Sequence, residues 1–502
     1  MKYKFQRTPY AHQKRALRKL ASSPGGYGGA LLMEPRTGKT KVAVDFGAML
    51  HQAKGVTRVL IICPNSVMGV WEREIKANLP RELTRHIIVW DREGRKATPQ
   101  LERHSGLVWV IVNFDAFSVP GKKLKSGRRS RASGRWKFYN TIARWKPELV
   151  IVDEAHRMKN PQSKRAKMIH KFHDTAPHRV LLTGTPVTGD NKVFDVYSQW
   201  RFLNRARFKE LGTFKEFKHE YGEWTDVRGF PELKKDRKTK KPILKNLDDL
   251  RARVHADSFA ITRTEAFPHL KRLPPQVVPV RLDPRARRIY NELAEDMIAE
   301  VREGLITEAS IRLVLTTRLS QITSGFARTT DGHLEDVGDE KLRVLRDLVS
   351  DAAENDEKLV VAARFKRDIN RIYALIVDDL KLPTWLIDGD VPRTKRDLSI
   401  EAFNAIDDPA VMIIQPQAAG LGIDLSSAST MIWYSLTTSF VDYSQACDRI
   451  ALSEKPTSTM HLLARASIDE VMYQSLLDDD DIVRLILSRP ESLLMGCLEE
   501  TA

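Results

Sequence analysis

Seven short apolar runs constrain this chain more than any other feature: RVLIIC (58–63), LVWVIVNF (107–114), ELVIVDE (148–154), HRVLLTG (178–184), KLVVAA (358–363), AVMIIQP (410–416) and TMIWYS (430–435). Valine and isoleucine dominate them, and turn or charged residues bound each one. Runs that are apolar at consecutive rather than alternate positions read as strands covered on both faces, the mark of a parallel sheet. Parallel strands need long crossovers, and helical patterns such as TKVAVDFGAMLHQA (40–53) and VWEREIKANL (70–79) lie between the runs. The alternation falls in two blocks, one before residue 200 and one after residue 340. It predicts two α/β domains. The length agrees, since 502 residues exceed what one hydrophobic core serves.

Between the blocks, residues 284–322 carry helical spacing and few turn residues, which predicts a mainly helical insertion. Two stretches are strongly basic, GKKLKSGRRSRASGR (121–135) and KKDRKTKKPILK (234–245), and both read as surface loops. The acidic DDDD at 478–481 reads as lying near a helix end. Cys63, Cys447 and Cys497 are too few and too scattered for a disulfide framework or a metal cluster, so a reducing cytoplasmic setting is expected. No apolar run reaches the length of a membrane span, and no membrane partner is expected. The formal net charge of +17 leaves two readings open on composition alone, a polyanionic partner such as nucleic acid or a merely soluble basic protein.

The stretch LLMEPRTGKTK (31–41) closes like a phosphate-binding loop, with Gly38, Lys39 and Thr40. Such a loop aims backbone N–H groups and a helix dipole at an anion. Lys39 is expected to reach the terminal phosphates and the Thr40 hydroxyl to bind Mg²⁺. Met33 stands where the full pattern has glycine, and Gly-Lys-Thr alone is weak evidence. The pair Asp153–Glu154 follows the apolar run ELVIV, which puts it at the C-terminal edge of a parallel sheet, where α/β proteins bind ligands. There Asp153 is suited to hold a metal, and Glu154 to orient or deprotonate water. A solvated helix start is the ordinary reading of an isolated acidic pair. The order of strand, phosphate loop, strand and acidic pair favours the catalytic one.

With these residues in place the chain resembles the Swi/Snf-type DNA translocases of the superfamily-two helicases. PYAHQKRAL (9–17), ICPNSVMGVWEREI (62–75), DEAHRMKNPQSK (153–164), LLTGTPVTGDNKVFDVYSQWRFLN (181–204), FAITRTEAFPHLKRLPPQ (259–276), VVAARFKRDINRI (360–372), WLIDGDVPRTKRDLSIEAFN (385–404), QAAGLGIDLSSAST (417–430) and DYSQACDRI (442–450) carry the likeness in order. The absence of reader-domain patterns makes it most like short phage or bacterial members, including phage branch-migration helicases. The resemblance implies two RecA-like parallel-sheet lobes, 1–205 and 336–502, joined by helical protrusions and a bridge over 206–335. It implies ATP and Mg²⁺ as cofactors, with Gln13, Arg36, Thr37, Gly38, Lys39, Thr40, Asp424 and Gln445 at the nucleotide. Thr40 and Asp153 are the expected metal residues, and Lys39, Asp153, Glu154 and Arg449 the catalytic ones. Double-stranded or branched DNA is the implied partner, contacted through Ser66, Trp71, Lys159, Asn160, Thr185 and Ser427 by a chain acting as a monomer. Trp71 reads equally as a core residue, and Asp424 as a turn aspartate. The family's second arginine of the last motif is replaced by Leu452. That departure keeps an ATP-gated DNA clamp with weak turnover as an alternative. An RNA helicase is a further alternative, against which the Lys-Asn-Pro after the acidic box argues.

Overall fold

A computed structural model describes residues 3–23, 28–84, 86–90, 101, 104–117, 140–184, 193–205, 212–227, 230–237, 242–302, 309–329, 331–419 and 423–477. The basic stretch 121–135, the acidic run 478–481, Thr185 and Cys497 lie outside them. The chain divides into two compact units, Met1–Pro268 and His269–Ala502.

In the first unit the strands are β1 (Gly28–Met33), β2 (Arg58–Cys63), β3 (His86–Val89), β4 (Val108–Asn113), β5 (Leu149–Asp153), β6 (His178–Thr183), the hairpin strands β7 (Trp224–Val227) and β8 (Phe230–Leu233), and β9 (Ser258–Ile261). Seven of them form one sheet in the order β3-β4-β2-β5-β6-β1-β9, with every pairing parallel. The continuous apolar runs are explained by burial on both faces. Leu60, Ile62, Val108, Val110, Val150 and Val152 enter one core layer. Their neighbours Val59, Ile61, Trp109, Ile111, Leu149 and Ile151 enter the opposite one. Burying each such side chain contributes roughly 1.5–3 kcal/mol. The helices α1 (Ala11–Ala21), α2 (Lys39–Lys54) and α3 (Met68–Asn78) give Leu17, Val42 and Trp71 to that second layer.

The second unit holds β10 (Gln276–Val280), the small hairpin β11 (Phe326–Arg328) and β12 (Leu334–Asp336), then β13 (Lys358–Ala362), β14 (Thr384–Ile387), β15 (Ala410–Ile414), β16 (Thr430–Trp433) and β17 (Ser458–Ala464). Six of them form a second all-parallel sheet in the order β10-β17-β16-β13-β15-β14. Pro279 lies in β10, an edge strand, where its missing N–H removes no interior ladder bond.

The segment 206–335 differs from the expected insertion. It contains long helices, Pro284–Arg302 and Ala309–Thr323, but it is shared between the units. Its strand β9 extends the first sheet and β10 extends the second. Each sheet edge presents unpaired backbone groups, and a short β-branched or aromatic segment beside it satisfies them. The basic stretch 234–245 is also not a plain loop. The Lys234 N–H donates to the Glu223 carbonyl at 2.8 Å and the Ile243 N–H to the Lys234 carbonyl at 2.8 Å, so its described ends extend the β7–β8 pairing.

Candidate nucleotide-binding site

β1 ends at Met33 and α2 begins at Lys39, so the phosphate-loop residues form the tight connection between them. Two of these adopt left-handed backbone, Arg36 at φ 70° and Gly38 at φ 88°. At the second position glycine also leaves room for the Gln13 amide, which a side chain there would push aside. A Cβ on Gly38 would stand 2.2 Å from the Gln13 Nε2. The missing glycine at Met33 is explained by its location. Met33 is the last residue of a buried strand, its side chain is fully enclosed, and its φ is not positive. What the site uses at that position is the backbone carbonyl, which accepts from Lys39 Nζ at 2.7 Å.

Gln13 and His12 brace the loop from α1. Gln13 Nε2 donates to the Thr37 carbonyl at 3.2 Å, and a His12 ring nitrogen lies 2.9 Å from the same oxygen. The Tyr10 N–H donates to Gln13 Oε1 at 3.0 Å. Thr37 is fully buried and its hydroxyl donates to the Glu34 carbonyl at 2.8 Å. Thr40 lies half-buried in the first turn of α2, a turn that no side chain caps. An uncapped helix start, a lysine and a glycine cradle together fit a phosphate chain in donor chemistry.

Asp153 closes β5 beside β6, and β6 lies next to β1. Asp153 therefore shares the sheet edge of the phosphate loop, about 10 Å away by strand spacing. Its Oδ2 accepts from the Trp71 indole Nε1 at 2.9 Å and its Oδ1 from the Glu154 N–H at 2.9 Å. Burial, reinforced by the Glu154 charge, raises its pKa to about 6, while Trp71 and Lys39 pull it down. Its electrostatic environment thus already includes the loop lysine. Glu154 adopts a left-handed conformation at φ 50°, a sparsely populated state for a non-glycine residue. Its Oε2 lies 3.3 Å from His156 Nδ1. Burial, with Arg157 and Lys159 nearby, lowers the His156 pKa to about 4, so at neutral pH the imidazole adds no positive charge beside Glu154.

Trp71, expected against DNA, is only 1% exposed, and its indole serves Asp153 instead. A buried indole N–H needs an acceptor, and that need was the one sequence signal for this contact. Lys159 pairs with Asp195 at 3.3 Å, and Asn160 is exposed with its Oδ1 accepting from the Gln162 N–H at 2.9 Å. The Ser66 side chain lies outside the described residues.

In the second unit Arg449 follows the helix Phe440–Cys447, which carries half-buried Gln445. Arg449 is 7% exposed, and its Nη1 donates to the Ile423 carbonyl at a long 3.4 Å. Its own carbonyl accepts from the Leu425 N–H at 3.0 Å. Asp424 lies exposed in the intervening turn and accepts from the Ser426 N–H at 3.1 Å. Ser427 is exposed two residues beyond Leu425.

Comparison with known proteins finds two matching domain families, the SNF2-related domain over residues 12–324 and the helicase conserved C-terminal domain over 340–451. An uncharacterized ATP-dependent helicase of Mycoplasma genitalium is 24% identical over 92% of this chain and 40% of its own length. An ISWI chromatin-remodeling complex ATPase of Arabidopsis thaliana is 25% identical over 82% of this chain and 36% of its own. The chain thus spans about two fifths of the curated relatives it matches. Among solved structures, the Sulfolobus solfataricus SWI2/SNF2 ATPase core in complex with dsDNA covers 98% of both chains at 19% identity, with a TM-score of 0.42.

Proposed function

This chain belongs to the SNF2-related family, with a helicase C-terminal domain in its second unit, and from that premise we propose that it hydrolyses ATP to move along double-stranded or branched DNA. Junction migration, fork remodelling and displacement of bound proteins are the tasks such movement serves. The observation that carries the reading is the meeting of Lys39 and Asp153 at one edge of the first sheet. Lys39, Thr40 and the first-turn N–H groups of α2 would hold the phosphates, with Gln13, Arg36, Thr37 and Gly38 shaping the loop. Asp153 and Thr40 would hold Mg²⁺, and Glu154 would accept a proton from the attacking water. Bound ATP and Mg²⁺ supply the phosphoanhydride and the charge that polarises it. Arg449, with Gln445 four residues before it and the Asp424 turn bonded to it through Ile423 and Leu425, is our candidate for a guanidinium that stabilises transition-state charge, worth ~10³–10⁵ in rate. Its hydrogen bond to the Ile423 carbonyl is long, at 3.4 Å. Lys159, Asn160, Ser427, Ser66 and Thr185 are proposed to contact the phosphate backbone, which positions the protein without reading sequence.

Steady-state ATP hydrolysis measured with duplex, forked, four-way and single-stranded DNA tests the reading. Strong stimulation by duplex or branched DNA is expected. A rate indifferent to every DNA would remove the motor. A second reading rests on Leu452, a half-buried aliphatic side chain where the family's last motif has an arginine. ATP-dependent DNA binding without stimulated turnover would make the chain a clamp.

A further inference from the structure

Well before Asp424 and Arg449 in sequence, the second unit carries another concentration of positive charge. β13 ends at Ala362 and the chain continues through Ala363 into Arg364, at the sheet edge where parallel α/β folds bind ligands. Nearby, the helix Ala309–Thr323 and β11 frame a groove of about 260 Å³ lined by Val314, Thr317, Arg318, Gln321 and Arg328. Arg364 borders it, because its Nη2 donates to the Thr317 hydroxyl at 3.2 Å.

Three guanidinium groups therefore gather at one groove, and among the described residues none of them has a carboxylate within ion-pair distance. Arg328 Nε donates to the Gly332 carbonyl at 3.1 Å. Arg364 Nη1 is buried and has no acceptor. The carboxylate that acts on Arg364 electrostatically is Asp368, which is itself buried and accepts from the Ser435 hydroxyl at 2.7 Å. Elsewhere in the same unit arginines are matched, Arg343 with Asp339 at 2.8 Å and Arg367 with Asp336 at 3.0 Å. Clustered cations without acids repel one another, and a buried guanidinium nitrogen without an acceptor has left water without gaining a partner. An anion seated in the groove relieves the repulsion.

We propose that this groove holds a phosphodiester phosphate of a nucleic-acid strand, gripped by Arg318, Arg328 and Arg364. Thr317 and Gln321 add neutral hydrogen-bonding groups. Val314, 52% exposed, offers an apolar surface to the adjoining sugar. Planar guanidinium forks suit phosphate oxygens, and a contact confined to phosphate and sugar carries no sequence preference. This assignment rests on the DNA reading above.

The test titrates labelled duplex DNA onto the full chain at several salt concentrations. Arg318→Ala with Arg328→Ala removes two exposed charges, and Arg364→Gln removes the third. Arg343→Ala is the control, an exposed arginine already matched by Asp339. The double variant is expected to bind at least tenfold more weakly near 0.1 M salt and to lower the salt slope by about two, with Arg364→Gln lowering it by about one and the control leaving it unchanged. Should Arg364→Gln fail to fold, the exposed pair carries the test. Unchanged affinity and slope in a double variant whose wild type binds duplex would overturn the groove assignment alone. A wild type that binds no duplex at any salt would overturn the DNA reading and this site with it. A second arm follows melting temperature with inorganic phosphate. Protection of the wild type but not the double variant, with equal DNA binding by both, would make the groove a free-anion site and overturn the strand assignment.

Discussion

The two units are built alike and distribute their charges differently. Each has an all-parallel sheet with apolar layers on both faces. In the first unit the acidic residues stand at the ligand edge, where Asp153 closes β5 and Glu154 follows it, with Lys39 acting on Asp153 and Arg157 and Lys159 close to the next turn. In the second unit Arg364 follows β13 with no ion-pair partner among the described residues, Asp388 and Asp390 follow β14, where Asp390 pairs with Lys366, and two further aspartates are withdrawn into the interior. Asp469 is 1% exposed and pairs with Lys341 at 2.5 Å, and Asp368 lies fully buried under Ser435. The shared architecture decides where a ligand sits, and the placement of carboxylates decides what is done with it. Acids at the edge are proposed to handle phosphate through a metal. Guanidinium groups without an ion-pair partner are proposed to handle phosphate directly.

The comparison is most exposed to failure at Lys39. Lys39→Ala removes the ammonium of the phosphate loop, and DNA-stimulated hydrolysis is expected to fall on the order of 10³-fold, the scale seen when one preorganised charge is removed from a reacting phosphate or oxyanion. A variant within tenfold of the wild-type rate would place the chemistry elsewhere. The next largest effect belongs to the interior of the second unit. Lys341 donates to Asp469 and to the Tyr434 carbonyl at 3.2 Å, while Asp469 also accepts from Thr323 Oγ1 at 2.8 Å and from the Ala464 N–H at 3.0 Å. Lys341→Met strands a buried carboxylate, and chemical denaturation should record a loss of about 3–5 kcal/mol. A loss under about 1 kcal/mol would mean that Asp469 is not held as a buried charge.

Asp368 sharpens the same contrast through pH. Burial raises its pKa to about 7, against the help of Ser435 and Lys341. The folded state therefore keeps a proton that the unfolded chain releases near pH 4. This contribution to stability is full below about pH 4 and is lost as pH rises through about 7, a change of at most about 4 kcal/mol. Asp368→Asn, neutral throughout, should flatten that part of the stability profile of the wild type. Parallel profiles would show that Asp368 is ionised in the folded protein.

How much of this was legible in the sequence depended on whether a residue's partner lay close along the chain. The seven apolar runs all became strands, because burial on both faces leaves a local compositional trace. β17 left no such trace. Its Ser458, Thr459 and His461 are buried, and His461 is satisfied by the Tyr443 hydroxyl at 2.9 Å and the Gln276 carbonyl at 3.2 Å, contacts that local pattern does not encode. The phosphate loop and acidic pair were legible as motifs with a known order. The brace from Gln13 and His12 to Thr37, the left-handed backbone at Arg36 and the arginine groove were not, since each depends on how distant segments pack.

The smallest predicted effect tests the most distant of these links. Trp71 and Asp153 are separated by 82 residues, yet the indole N–H donates to the carboxylate that is proposed to hold Mg²⁺. Trp71→Phe keeps most of the packing and removes only that donor. A hydrogen bond to a charged group is worth about 1.5–3 kcal/mol, and partial relaxation of a half-buried carboxylate toward solvent recovers some of it. Hydrolysis should therefore fall on the order of tenfold, with more Mg²⁺ needed for half-maximal rate, while the unfolding midpoint moves little. A variant with normal Mg²⁺ dependence and a lowered melting temperature would make Trp71 a packing residue only. The edge of the first unit would then owe its geometry to the backbone of β5 and the Glu154 N–H alone.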